Sequence, residues 1–193
     1  GKPQKGWQAA IDAFLSIKEE TTKRIHLIMV GGSGYVDELK EKYKSHKEIH
    51  FIGKVPNPTY YMEGMDVGLM LSTYKTEALS LTAIEFLMLG KPVIATNVGG
   101  VPEVLEYKGD LLGTLINLTE EGSVNTDELK IEMLRFINDE KSLNLDPSIR
   151  ELSCERFSLN TCAQSYEKLF QRILSEKAVS GAGKRDKAKV VEA

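Results

Sequence analysis

An α/β fold is predicted, built on a doubly wound parallel sheet with helices on both faces. Three observations carry that expectation. The strand candidates are short, nearly continuous apolar runs, such as Ile25-His26-Leu27-Ile28-Met29-Val30 and Val93-Ile94-Ala95-Thr96, the signature of strands buried on both faces. Segments with helical apolar spacing alternate with them, as in a parallel sheet wrapped by crossover helices. The runs end in loops rich in Gly, Ser, Thr and Asn, at residues 31–34, 53–57, 72–80 and 96–100. Such sheets bind ligands at their strand carboxyl ends. The pattern is Rossmann-like.

The elements follow in order. Trp7, Ala10, Ile11, Phe14 and Leu15 share one helical face, so residues 7–18 form a helix. Residues 25–30 are the first strand and end in Gly31-Gly32-Ser33-Gly34. Residues 36–44 are a charged helix, and residues 49–53 the second strand. A short helix is expected over residues 58–64 and a third strand over residues 67–71. Residues 81–89 form a helix that stops at Gly90, followed by a strand over residues 93–96. Pro102 opens a short helix, since proline suits a first helical turn. Residues 112–118 are a last strand, and residues 127–138, 147–153 and 159–175 are helices. Residues 1–177 are expected as one domain. Residues 178–193 are Ala, Gly, Lys and Val without an apolar face, and are expected as a disordered tail. The abrupt start at Gly1-Lys2-Pro3 reads as the cut end of a longer protein.

The chain of 193 residues has 41% hydrophobic residues and a formal net charge of −3. A core is affordable, and no basic field invites nucleic acid. No apolar run is long enough to span a bilayer. Cys154 and Cys162 are too few for a disulfide framework and lack metal-ligand spacing, so a reducing, cytoplasmic setting is expected. His26, His46 and His50 are scattered in sequence and read as packing or surface residues.

The most informative stretch is Glu77-Ala78-Leu79-Ser80-Leu81-Thr82-Ala83-Ile84-Glu85. A carboxylate on a loop precedes a second one on the following helix. Exposed N–H groups and the helix dipole at that helix start favour a phosphate, and carboxylates beside a phosphate seat suit a nucleotide-sugar. A structural alternative exists for Glu85, because Thr82-Ala83-Ile84-Glu85 also fits a capping box. The glycines Gly31-Gly32-Ser33-Gly34 do not complete a dinucleotide fingerprint, since Asp37 stands where the third glycine is needed. They read as a turn, with close backbone approach to a ligand at Gly32 as the functional reading.

Glu77 and Glu85, followed by Gly90-Lys91-Pro92-Val93-Ile94-Ala95-Thr96-Asn97-Val98-Gly99-Gly100-Val101-Pro102-Glu103, resemble the paired glutamates and following stretch of retaining glycosyltransferases with the GT-B fold (family four, group one). The likeness runs from about Lys5 to about Phe170 and covers the C-terminal, donor-binding half of such enzymes. It implies that Glu77 accepts hydroxyls of the donor sugar and Glu85 those of the ribose. Amides of Ser80, Leu81 and Thr82 would hold the diphosphate. Lys5, in Gln4-Lys5-Gly6, would neutralise the leaving diphosphate, and the main chain at Lys54 and Val55 would meet the base. The chain departs from the family where Ala78-Leu79-Ser80 replaces Gly-Phe-Gly. If a positive φ were needed there, Ala or Ser would be less favourable than Gly by roughly 1 kcal/mol. The family's arginine, five residues before its lysine, would fall upstream of Gly1.

The implied reaction moves a hexose-type sugar from a nucleotide-diphosphate-sugar to an acceptor hydroxyl with retention of configuration. The acceptor, a carbohydrate or lipid, would be bound by an N-terminal domain outside this chain, through which any peripheral contact with the inner face of a membrane would also be made. No cofactor and no metal are expected, because the sequence has no Asp-x-Asp pair. Two other readings stay open on the residues: a non-catalytic nucleotide-binding or regulatory module of the same fold, and a sugar-nucleotide epimerase.

Overall fold

A computed structural model describes residues 1–139 and 147–188. A 3-10 turn, Pro3–Lys5, leads into α1 (Trp7–Lys18). There follow β1 (Leu27–Val30), α2 (Gly34–Lys42), β2 (Ile49–Gly53), α3 (Thr59–Glu63) and β3 (Gly68–Met70). Next come α4 (Leu81–Met88), β4 (Val93–Thr96), α5 (Val101–Leu105), the short strands β5 (Glu106–Tyr107) and β6 (Asp110–Leu111), and β7 (Thr114–Ile116). Helices α6 (Thr126–Asn138), α7 (Pro147–Phe157) and α8 (Leu159–Ala188) complete the described elements.

The predicted parallel sheet is made in two hydrogen-bonded pieces. β1 pairs with β2, and β4 lies between β3 and β7; all three pairings are parallel. One hydrophobic core serves both pieces. It gathers Ile11 and Phe14 of α1, Leu27 and Met29 of β1, Leu39 of α2, Ile94 of β4, Ile116 of β7, and Leu129 and Phe136 of α6. Side chains alternate across a strand, so Ile94 takes this face and its neighbours Val93 and Ala95 take the other. Gly68 is the register partner of Val93. The Phe86 ring of α4 lies against it, which places α4 on the opposite face. All four residues of β4 are buried, as expected of a central strand covered on both sides.

The structure adds an antiparallel pair, β5–β6, to the elements the sequence indicates. It turns at Lys108 (φ 54) and Gly109 (φ 88), two successive left-handed residues, the geometry of a tight two-residue hairpin. Strands of two residues carry no periodicity to read. At the other end, α8 runs to Ala188, so the stretch assigned to a tail from residue 178 is helical as far as that residue. Residues 189–193 lie outside the described residues. Two compact units are distinguished, residues 1–153 and 154–193, and the strands and core described here all belong to the first. Among the described residues, no helix is long and apolar enough to cross a membrane.

Candidate functional site

The site is built on segments that follow strand carboxyl ends. After β1, the Gly31 N–H donates to the Gly53 carbonyl at the end of β2, at 2.8 Å. This crossing brings Gly32 against Lys54, whose Cγ would lie 3.2 Å from a Cβ added at Gly32. Two candidates from separate loops are therefore neighbours. Val55 follows, half-buried.

Residues 1–6 connect this corner to the end of β3. Ser33 Oγ donates to the Gly1 carbonyl at 2.5 Å, and the Thr73 N–H donates to the Gln4 carbonyl at 2.8 Å. Gly6 then passes so close to Leu71 that an added Cβ would lie 2.2 Å from the Leu71 carbonyl oxygen, and its φ is +72. Only glycine fits such a position without strain. Gly6→Ala should lower stability by about 1–3 kcal/mol from the backbone conformation alone, with the clash adding to it, and displace Lys5. Urea unfolding of the variant checks the first effect.

With the chain so held, Lys5 meets Glu77. Their side chains pair at 2.8 Å between Lys5 Nζ and Glu77 Oε2, with relative exposures of 43% and 16%. The ammonium also stands 5.6 Å from the centre of the Tyr74 ring. Ser72 Oγ donates to the same Glu77 oxygen at 2.7 Å. Partial burial opposes the charged carboxylate, but the hydrogen bonds from Lys5 and Ser72 and the Lys5 charge outweigh it and hold the Glu77 carboxyl below its ordinary value. The sign follows from linkage. A carboxyl depressed in the folded state adds stability above its unfolded value, near 4.5, and that stability is lost as pH falls through the folded value. Urea unfolding across the acid range should show this loss, and Glu77→Gln should remove that part of the pH dependence.

Beyond Glu77 the chain enters α4. Ser80 is its N-cap: the buried side chain accepts from the Ala83 N–H at 3.3 Å. This corrects the capping-box alternative. The helix begins at Leu81, so Thr82 lies inside it, and Glu85 sits too far along to return to the cap. Ala83, Ile84, Phe86 and Leu87 are buried, while Leu81, Thr82 and Glu85 are exposed. Residues three and four apart share a helix face, so Glu85 stands over the two residues of the first turn. The Leu81 and Thr82 N–H groups belong to the set that a helix start leaves without intrahelical acceptors. The Glu85 carboxylate makes no hydrogen bond or ion pair among the described residues. Among these residues, no group of three His, Cys, Asp or Glu is placed to hold a metal ion.

Sequence reasoning missed two supports. The sequence shows Ser72 only as part of a polar loop. Gly99 and Gly100, after β4, pack on the backbone of the Glu77 loop: the Gly100 N–H donates to the Glu77 carbonyl at 2.8 Å. His26, just before β1, and His50 of β2, distant in sequence, have ring nitrogens 3.0 Å apart.

Residues 1–145 match the family described as glycosyl transferases group 1. The chain belongs to that family. Among curated relatives of this group 1 domain is the N-acetyl-alpha-D-glucosaminyl L-malate synthase of Bacillus anthracis, 28% identical over 173 residues, which make up 88% of this chain and 42% of that protein. The chain thus spans less than half of that relative's length. Among solved structures, Anabaena HepE in complex with UDP-glucose superposes with a TM-score of 0.72 at 23% identity, covering 89% of this chain and 46% of that one. The C-terminal domain of the group 1 protein LpcC from Francisella tularensis gives a TM-score of 0.64 at 19% identity, covering 82% of this chain and 83% of that one. The fold of the group 1 domain is therefore half of a GT-B architecture, as the sequence implied.

Proposed function

We propose that this group 1 domain is the donor half of a retaining glycosyltransferase that moves a hexose-type sugar from a nucleotide-diphosphate-sugar to an acceptor hydroxyl. The observation that carries the reading is the Lys5–Glu77 pair, held beside a helix start whose exposed residues, Leu81, Thr82 and Glu85, share one face. A fixed cation, open amides and an unpaired carboxylate are the groups a nucleotide-sugar needs. The solved complex of HepE with UDP-glucose supports a nucleotide-sugar as the ligand class.

The hard step in such a transfer is departure of the diphosphate. Preorganised positive charge and N–H donors aimed at the leaving group supply most of the stabilisation in a reaction of this kind. Lys5 and the amides of Ser80, Leu81 and Thr82 would provide both, so the proposed chemistry requires no metal. Glu77 would accept a hydroxyl of the sugar and Glu85 the ribose hydroxyls. Gly32 and the main chain of Lys54 and Val55 would border the base. The acceptor would be bound by the other half of the full-length enzyme, so this chain should bind donor with little turnover by itself. The setting proposed is the cytoplasm, with the full-length protein acting there on a carbohydrate or lipid.

Calorimetric titration with UDP, GDP and ADP tests the reading. One of the three should bind, and Glu85→Ala should weaken that binding about tenfold or more, as expected for loss of hydrogen bonds to a charged group. Absence of binding by all three at millimolar concentration, or an unchanged affinity in Glu85→Ala, overturns it in favour of a non-catalytic module.

A further inference from the structure

Glu77 is held by a chain of buried groups that runs from the end of β4 to the first residue of the Glu77 loop. Ser72 and Thr96 are both fully buried, each with 0% exposure. Thr96, the last residue of β4, donates its hydroxyl to the Ser72 carbonyl at 2.5 Å, with the Met70 carbonyl farther off at 3.4 Å. A hydroxyl has one proton to give, and the shorter contact takes it. Ser72 Oγ accepts the Tyr74 N–H at 3.3 Å and gives its own proton to the Glu77 carboxylate, which when ionised can only accept. The roles along the chain are thereby fixed, from Thr96 to Ser72 to Glu77.

Both protein donors to Glu77, Ser72 Oγ and Lys5 Nζ, fall on Oε2. Among the described residues no donor reaches Oε1. We propose that Ser72, anchored by Thr96, is a positioning residue that fixes the Glu77 carboxylate through one oxygen and reserves the other, Oε1, for a hydroxyl of the donor sugar. This rests on the donor-binding reading. It deepens that reading by assigning the sugar, and not the nucleotide, as the part of the ligand that Ser72 governs. A carboxylate held at one oxygen cannot swing about its last torsion, so the free oxygen presents a single direction to the ligand. A serine that served only to fill space would leave sugar and nucleotide recognition equally affected.

UDP and UDP-glucose are the probes, titrated by calorimetry into the unmodified chain, Ser72→Ala and Ser72→Cys, and into each of these combined with Glu77→Gln. The cysteine variant keeps the size of the side chain with a weak donor, should the alanine variant unfold. In parallel, the Glu77 carboxyl is followed by NMR through an acid titration. Ser72→Ala should weaken UDP-glucose about three- to tenfold, the loss expected for one hydrogen bond, and leave UDP unchanged. It should also raise the Glu77 midpoint, and add nothing once Glu77 is glutamine. Equal losses for both probes, a loss that persists in the Glu77→Gln background, or an unmoved midpoint overturns the proposal. If the unmodified chain binds GDP or ADP in place of UDP, that nucleotide and its glucose conjugate take over as the probes; if it binds none of the three, the donor reading falls and the sugar assignment with it. The carboxyl titration then still decides whether Ser72 anchors Glu77.

Discussion

Glu77→Gln should separate the two halves of the ligand: UDP-glucose binding falls about ten- to a hundredfold, while UDP binding is kept or strengthened. The first effect follows if Glu77 accepts a sugar hydroxyl, since hydrogen bonds to charged groups contribute about 1.5–3 kcal/mol. The second follows from the ion pair. Lys5 and Glu77 stand 2.8 Å apart, so part of the Lys5 charge is taken up by Glu77. Glutamine keeps the shape and removes the negative charge, and the ammonium is released toward an incoming diphosphate. The gain is limited, because a lysine with 43% of its side chain exposed is well hydrated; a few-fold at low salt, shrinking as salt is added, is the expected size. Lys5→Met should do the reverse and weaken both probes. Parallel calorimetric titrations at two salt concentrations would measure this. An equal fall for UDP and UDP-glucose in Glu77→Gln would show that the carboxylate supports the loop and does not read the sugar.

The sequence made some of this visible and hid the rest for physical reasons. The bounds of α1 and β4 are those the apolar spacing indicates, because a buried helix face and a central strand each impose a period on the residues. The exposed stripe of Leu81, Thr82 and Glu85 could also be read, once the helix was placed. Its cap could not: Ser80 and Thr82 are both good capping residues, and only the helix start at Leu81 decides between them. Lys5 and Glu77 lie 72 positions apart, and no local pattern relates them. The family resemblance assigns the two separate roles at one donor, and the structure supplies the reason they meet, which is the approach of Gly6 to Leu71. The hydrogen bond from Ser72 to Glu77 could not be read from the sequence, because burial and hydrogen-bond partners are tertiary facts that a serine in a polar loop does not announce.

Gly99 and Gly100 should prove the least replaceable residues of the candidate site. A Cβ on Gly99 would lie 2.1 Å from the Glu77 carbonyl oxygen, 2.9 Å from its carbonyl carbon and 3.0 Å from the Glu77 nitrogen. The φ of +52 at Gly99 adds backbone strain to the clash. Gly100 has an ordinary φ of −88, yet a Cβ there would lie 2.1 Å from the Ala78 carbonyl oxygen. The atoms in the way are backbone, so no side-chain rotation relieves them. Either β4's end or the Glu77 loop must move. Gly99→Val should lower stability by about 3–5 kcal/mol, the upper range for substitutions that combine strain with overpacking. Gly100→Ala, without the strain, should lower it by about 1–3 kcal/mol. Movement of the loop breaks the Gly100 bond to the Glu77 carbonyl and carries Glu77 away from Lys5 and Ser72. Folded Gly100→Ala should therefore lose UDP-glucose affinity, and its Glu77 carboxyl should titrate closer to the ordinary carboxylate range. Urea unfolding and the NMR titration report the two effects separately. A variant that is destabilised but keeps the Glu77 midpoint would mean that β4's end yields and the loop stays, and that Glu77 is placed by Lys5 and Ser72 alone.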